Sequence, residues 1–333
     1  MVDFAGWTLP VQYTGIIEEH MSVRKASGVF DVSHMGEFLV CGKDALPFLN
    51  YALTNSYTTL KDNCARYGIL CDDEGRALDD LFVYKLNPEV FFIVCNAANI
   101  KRDFKRLSFV KEQRNFEVKI EDQSDIWSLL ALQGPDTNKV LEKSLNKDFS
   151  ALSRFSFLRF ENLYISRTGY TGSDGVEILV KNAEAETLAK AILDAGAKPC
   201  GLGARDSLRL EAQYPLYGHE LSEDINPLEA GLGWAVKFDK DFAGRDKLLK
   251  EKSAGLERQV LFFKVLDRRM VRSGAEIFCG QEKVARALSG AWSPILNAPI
   301  GSCIAKNAIF QKNCLPKSEN LLLKLSLKIN FYD

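Results

Sequence analysis

Ser166-Arg167-Thr168-Gly169-Tyr170-Thr171-Gly172-Ser173-Asp174-Gly175-Val176-Glu177 is the stretch on which the reading of this chain turns. Leu163 to Arg167 and Val176 to Val180 are short runs rich in aliphatic and β-branched residues, which predicts the two strands of a hairpin. Between them lie Gly169, Gly172 and Gly175, which permit backbone angles closed to other residues and would let a flat ligand approach closely. Tyr170 and Glu177 bracket the turn with an aromatic face and a carboxylate. Taken alone, the same composition also suits an ordinary hairpin loop with a surface acid.

The segment has company. Met1-Val2-Asp3-Phe4-Ala5-Gly6-Trp7, Phe30-Asp31-Val32-Ser33-His34-Met35-Gly36, Asp79-Asp80-Leu81-Phe82-Val83-Tyr84 and Gly201-Leu202-Gly203-Ala204-Arg205-Asp206-Ser207-Leu208-Arg209-Leu210-Glu211-Ala212 flank it in order. With these five blocks in register, the chain closely resembles the T-proteins, the aminomethyltransferases of the glycine cleavage system. The resemblance is dense from Met1 to about Gly244 and thinner to the C-terminus.

Composition sets the outer limits. A chain of 333 residues exceeds one ordinary core, so two or three domains are expected. A hydrophobic content of 46% with 26% charged residues is that of a globular protein. The net charge of −1 argues against a generic nucleic-acid or anionic-membrane binder. Eight cysteines without a C-x-x-C pair, and only three histidines, speak against a zinc site or a disulfide framework. With no apolar run of bilayer length and no signal-like N-terminus, a cytoplasmic protein with reduced thiols is expected.

Along the chain, Gly36 to Gly42 reads as a strand, and Leu81 to Leu86 with Val90 to Cys95 as a hairpin joined at Asn87-Pro88-Glu89. Asn99 is placed to cap a helix running from Ile100 towards Glu112. Phe116 to Ile120 and Trp127 to Leu132 are strand-like, and Gln133-Gly134-Pro135 opens a helix with proline in its first turn. Ala183 to Ala195 carries a helical apolar stripe that Gly196 stops, and a new strand-rich section begins at Val260 to Val265. Strands dominate without regular strand–helix alternation, so the fold class is α+β. The resemblance implies a three-domain cloverleaf of mostly antiparallel sheets. Its first domain would be discontinuous, 1–35 with 126–240; a middle α+β domain would span 36–125, and a C-terminal β-barrel-like domain 241–333.

The resemblance also assigns chemistry. A pterin presents a ring N–H beside an exocyclic amine, and a carboxylate matches that edge with two parallel hydrogen bonds. Glu177 stands where T-proteins place such an acid, and Arg205 aligns with an arginine that touches folate or holds the acid. Alternation along a strand puts Asp79 and Asp80 on opposite faces, so only one can point inward. The family pattern makes that one Asp80, the catalytic candidate. Tyr67, Tyr84, Phe155, Tyr170 and Trp234 match aromatic positions that wrap the folate, each equally at home in a core. Asn96 would bond the ligand or cap its own turn, and Arg272 and Tyr332 match C-terminal positions near the ligand's tail or the channel mouth.

The implied partners are tetrahydrofolate as co-substrate and lipoylated H-protein, with no metal, nucleotide, nucleic acid or membrane. Lys101-Arg102-Asp103-Phe104-Lys105-Arg106 is either a docking patch for an acidic partner or a solvated helix face. Gly201-Leu202-Gly203-Ala204-Arg205-Asp206 starts like a dinucleotide-binding turn but has Asp206 at the third glycine. Family members carry residues upstream of the Met1 motif, and Ser173 replaces a usual acid. The expected function is transfer of the methylene carbon from aminomethyl-dihydrolipoyl H-protein to tetrahydrofolate. The alternatives are a tetrahydrofolate-dependent demethylase on the same fold, or a non-catalytic folate-binding protein of iron–sulfur cluster maintenance. The latter's K-G-C-Y-x-G-Q-E signature is absent here.

Overall fold

Three mainly antiparallel sheets and the helices packed on them make up the computed structural model, which describes residues 1–279, 281–306 and 323–324. The first sheet has the order Phe157–Phe160, Leu163–Ser166, Gly175–Lys181, Trp127–Gln133, Gly28–Asp31, Lys198–Pro199, and only its last pair is parallel. The second has the order Cys64–Cys71, Ala77–Asn87, Val90–Cys95, Gly36–Cys41, Lys119–Asp122. The third has the order Glu276–Cys279, Glu282–Ser293, Ala298–Lys306, Arg258–Val265, Leu323–Lys324. Among the described residues this third sheet is open, so the closure expected of a barrel is not part of it. The α+β class with antiparallel pairing is as expected.

Alternation dictates what each sheet buries. Phe38, Val40, Leu81, Val83, Phe91 and Ile93 point to one face of the second sheet and pack under the helices Ala45–Ala52 and Ile100–Arg114. Its other face, with Phe82, Tyr84, Phe92 and Val94, packs against Trp127, Leu129, Ala131, Phe157 and Leu179 of the first sheet. The far face of that first sheet is covered by the helices Thr137–Leu145 and Asn182–Asp194. Two sheets thus meet face to face, and of the predicted ligand residues Tyr84 and Glu177 line the cavity between them. Among the described residues, no helix is long and apolar enough to cross a membrane.

Several local expectations need correction. The strand read as Leu81 to Leu86 runs Ala77–Asn87, so Asp79 and Asp80 lie inside it. Asn99 precedes its helix but makes no side-chain cap; its amide is turned to Asp79 instead. The strand expected at Phe116 to Ile120 is Lys119–Asp122, and Pro135 lies before the cap position, Asp136, of a helix that begins at Thr137. The N-terminal motif forms a small hairpin, Val2–Phe4 with Trp7–Leu9, whose turn residues Ala5 and Gly6 both have positive φ, 53° and 84°.

Candidate active site

The predicted hairpin is present. Leu163–Ser166 pairs with Gly175–Lys181, and Ser166 faces Glu177 across the ladder. Gly172 takes the positive φ, 76°, that the loop was expected to need, while the other two glycines make room for a side chain of the chain itself. A Cβ at Gly169 would lie 2.0 Å from Gln133 Oε1, and one at Gly175 would lie 2.6 Å from Gln133 Nε2. Buried Gln133 fills the loop: its Nε2 donates to the carbonyls of Thr168 and Val176, both at 3.2 Å, and its Oε1 accepts from Thr171 Oγ1 at 2.8 Å. Gly169 and Gly175 leave the space that this glutamine fills. Ser173 accepts from Arg24 Nη1 at 2.7 Å, which keeps the loop tied to the first helix, Ile16–Lys25.

Glu177 lines a cavity of about 260 Å³ between the two sheets, together with Ser166, Tyr84, Phe157, Trp127 and several leucines and valines. Thr168 Oγ1 donates to its Oε2. Arg205, on the helix Leu202–Glu211, stacks its guanidinium over the Tyr170 ring at 4.8 Å. Its Nη1 is buried without a hydrogen-bond partner, as is Nδ1 of His34. Burial lowers the Arg205 pKa, with the charge of Glu177 opposing the shift, and burial beside Arg205 takes His34 down to about 4. Unsatisfied buried donors are costly unless something is bound to them. The Tyr170 hydroxyl is taken by the carbonyl of Pro215, so this residue offers its ring, which also stacks on Tyr214.

Asp80, Phe82 and Tyr84 share one face of the strand Ala77–Asn87, two residues apart. Tyr67 lies opposite Phe82 on the neighbouring strand, with ring centroids 5.7 Å apart. Trp234 stacks on Tyr67 at 5.4 Å and Phe155 on Phe82 at 6.2 Å, so a row Trp234–Tyr67–Phe82–Phe155 crosses the sheet. Its two outer rings are 59% and 44% exposed, unusual for stacked aromatics of this size unless a partner covers them. Phe155 holds a positive φ of 59°, a conformation costly for a bulky residue.

The Tyr67 hydroxyl donates to Asp80 Oδ2 at 3.0 Å, and Asn96 Nδ2 donates to Asp80 Oδ1 at 3.0 Å and to Asp79 Oδ1 at 2.8 Å. Asn96 therefore clamps two carboxylates and does not cap its turn. Burial, with the neighbouring charge of Asp79, pushes Asp80 up to about 7, against the hydrogen bonds of Tyr67 and Asn96. A carboxyl poised there can take and release a proton near neutrality. Asp79 is the fully buried member of the pair, on the helix-covered face, whereas Asp80 is half-buried and faces the aromatic row.

A family profile, the GCVT N-terminal domain, matches residues 1–240. An aminomethyltransferase of Caldanaerobacter subterraneus is 46% identical over 311 residues, covering 90% of this chain and 83% of its relative. One of Pseudothermotoga lettingae is 41% identical over 317 residues, covering 93% and 87%. The crystal structure of glycine cleavage system aminomethyltransferase T from Bartonella henselae superposes with a TM-score of 0.88 at 33% identity, over 92% of this chain and 86% of that one. The chain belongs to the aminomethyltransferase family of the glycine cleavage system.

Within that family frame, the predicted residues divide. Asp80, Asn96, Tyr67, Trp234, Phe155 and Tyr84 are joined through hydrogen bonds and ring contacts around the second sheet; Thr168 links Tyr84 to Glu177, and Arg205 stacks on Tyr170. Arg272 lies exposed on the loop before Glu276–Cys279, with no described side-chain contact to this group, and Tyr332 is outside the described residues. Phe82 and His34 escaped the sequence reading. Phe82 was legible, since it stands two residues from both Asp80 and Tyr84. Nothing in the sequence marks the side chain of His34 as unsatisfied.

Asp79, Cys95 and Asp103 bring ligand-type atoms within 4.8 Å of one another. This donor set does not suit a metal ion. Asp79 Oδ1 already receives Asn96 Nδ2 and Asn99 Nδ2, the latter at 2.6 Å, and Oδ2 receives the Asn96 backbone N–H at 3.0 Å. A cation would have to displace these N–H donors. Burial also holds the Cys95 thiol protonated, well above its ordinary range.

Proposed function

We propose that this chain transfers the aminomethyl carbon of a dihydrolipoyl arm, presented by H-protein, to tetrahydrofolate. The arm carries S–CH2–NH3⁺. A bond forms from folate N5 to the carbon as ammonia leaves; the N10–C bond then forms as C–S breaks. The products are 5,10-methylenetetrahydrofolate, the dihydrolipoyl thiol, ammonia and one proton. The observation that carries the reading is Asp80: a carboxyl tuned towards neutrality, held by Tyr67 and Asn96, on the face lined by Phe82 and Tyr84. It would accept the proton that folate nitrogen loses and stabilise the cationic carbon.

Glu177 would take the pterin's N–H edge, with Arg205 and His34 supplying the buried donors for its acceptors. Tyr84, Tyr170, Phe155 and Trp234 would enclose the rings, and Arg272 would stand near the ligand's tail or the channel mouth. A non-catalytic folate binder would have no use for a tuned acid at the row's edge. We propose also that the chain divides into 1–35 with 126–240, 36–125 and 241–333 around a central site, as a cloverleaf. Each of the three sheets draws all its strands from one of these sets, which supports the division.

Release of ammonia from aminomethyl-loaded H-protein, with and without tetrahydrofolate, tests the reaction: release should depend on tetrahydrofolate and match methylene transfer one for one. Glu177→Ala should weaken tetrahydrofolate binding by about 1.5–3 kcal/mol, with Glu177→Gln between, as for hydrogen bonds to a charged group. Unchanged titration by both variants would assign the hairpin to structure alone.

A further inference from the structure

Behind Asp80 lies a second acid that the transfer chemistry above does not use. Asp103, in the helix Ile100–Arg114, is fully buried and faces Asp79. Written as a carboxylate, neither of its oxygens has a hydrogen-bond partner, an expensive state for a buried charge. With a proton it becomes the donor to Asp79, which is itself surrounded by N–H groups of Asn96 and Asn99. Two acids in contact in a dry core share one proton, and the member with more donors around it keeps the charge. That member is Asp79.

We propose that Asp103 is a positioning residue, donating the hydrogen bond that keeps Asp79 ionised and in place so that Asp79, through Asn96, sets the orientation and charge environment of Asp80. Asp79 receives both the backbone N–H and the side-chain amide of Asn96, and the same Nδ2 reaches Asp80 Oδ1 and, at 3.0 Å, its carbonyl. The chain Asp103–Asp79–Asn96–Asp80 is thus continuous. Titration points the same way: burial and the charge of Asp79 raise Asp103 to about 11, so its proton stays on across the neutral range. The other titratable or charged groups facing the cluster are Arg102 on the same helix, Cys95 on the strand Val90–Cys95, and Tyr67, Tyr170 and Tyr217 from the site side. Arg102 is occupied with Glu223 at 2.8 Å and with Asn99 Oδ1 at 2.9 Å, and does not hydrogen-bond to Asp103.

The inference rests on the proposed function only for the use of Asp80, so its test has one readout besides turnover. Carboxyl ¹³C titration of aspartate-labelled enzyme, with the Asp80 signal assigned by its loss in Asp80→Asn, follows the acid directly. In Asp103→Leu, Asp79 loses a donor and protonates more readily, its repulsion of Asp80 weakens, and Asp80 should titrate lower by about one pH unit. The acid limb of the kcat profile should follow it down. Turnover should fall roughly tenfold as the clamp loosens, with KM for tetrahydrofolate unchanged.

Asp103→Asn keeps the donor in place and should leave both the titration and turnover near the parent. An unmoved Asp80 titration in Asp103→Leu, or an Asp103→Asn variant as impaired as the leucine one, overturns the proposal. If Asp103→Leu does not fold, Asp103→Asn decides: a shifted Asp80 titration there overturns it and an unshifted one supports it. Parental turnover in Asp80→Asn, by contrast, would sink the catalytic reading of Asp80 and leave the Asp103 result standing.

Discussion

Two of the charge clusters that the described residues bury are built on opposite plans. Behind the site, Asp79, Asp80 and Asp103 crowd together, and the acids are pushed up. Against the third sheet, acids meet bases. Arg209, fully buried, bonds Glu220 Oε2 and Asp206 Oδ1, each at 2.8 Å, and Ser289 at 2.9 Å. Glu211 receives Arg24 at 2.7 Å, His20 at 3.1 Å and Ser293. Burial opposes the charge of Glu211, yet the hydrogen bonds of His20 and Ser293 with the charge of Arg24 take it down to about 2. The balanced cluster ties the helix Leu202–Glu211 to Glu282–Ser293 and Ala298–Lys306; the unbalanced one holds an acid in a state that folding alone would not choose. A buried pair reads as architecture, and like charges left together read as chemistry.

The largest effect should come from breaking the balanced cluster. Arg209→Met leaves Glu220 buried and unpaired, and about 3–5 kcal/mol of stability should be lost in denaturant unfolding. A loss below about 1 kcal/mol would show that helix and sheet are held by apolar contacts instead. In the acid cluster, Asp80→Asn keeps shape and removes the proton acceptor. Turnover should drop by about 10²-fold or more while tetrahydrofolate binding persists. Turnover within a few-fold of the parent would remove Asp80 from the mechanism.

The two plans also predict opposite responses to pH. Asp80 holds its proton more tightly in the folded chain, at about 7 against an ordinary 3.8. Its contribution to stability is therefore complete below about pH 4 and is lost as pH rises towards 7. Glu211, at about 2 against 4.5, contributes stability above about pH 4.5 that disappears as pH falls towards 2. Unfolding midpoints measured across pH should show Asp80→Asn flattening the decline between pH 4 and 7 without touching the acid limb. Glu211→Gln should do the reverse. A parent whose stability is level from pH 4 to 7, or a pair of variants with the same profile, would erase the distinction drawn between the clusters.

Much of the site was legible because its parts are local patterns. Period two along the strand Ala77–Asn87 separates Asp79 from Asp80, and the hairpin carries Glu177 on a ladder that short β-branched runs announce. The expectation that Asp80 is the acid turned inward needs correction: Asp79 is the fully buried one, because the helix Ile100–Arg114 covers its face of the sheet, and Asp80 is only half-buried. The part played by Gly169 and Gly175 was hidden for the same kind of reason: Gln133, which fills the loop, comes from a strand more than thirty residues upstream. Asp103 looked like an interruption in a basic run, and only packing reveals it as part of the site's foundation.

That basic run gives the smallest and most surface-bound contrast. Its four cations are not equivalent. Arg102 bonds Glu223 and the Leu78 carbonyl, and Arg106 bonds Asp73 at 2.8 Å and the Cys71 carbonyl at 3.2 Å, so both brace the helix Ile100–Arg114 against neighbouring segments. Lys101 and Lys105 are exposed, one turn apart. If the helix meets an acidic H-protein, these two lysines are the charges free to steer it. Lys101→Glu with Lys105→Glu should slow association with loaded H-protein a few-fold and flatten its salt dependence, as rim charges do. Unfolding midpoints should not move, and turnover with a free aminomethyl-lipoate analogue should survive, because that donor needs no protein dock. Equal loss with both donors would place the lysines in folding or folate binding. No loss with either would leave them as solvated charge, and docking would then have to be sought on another face.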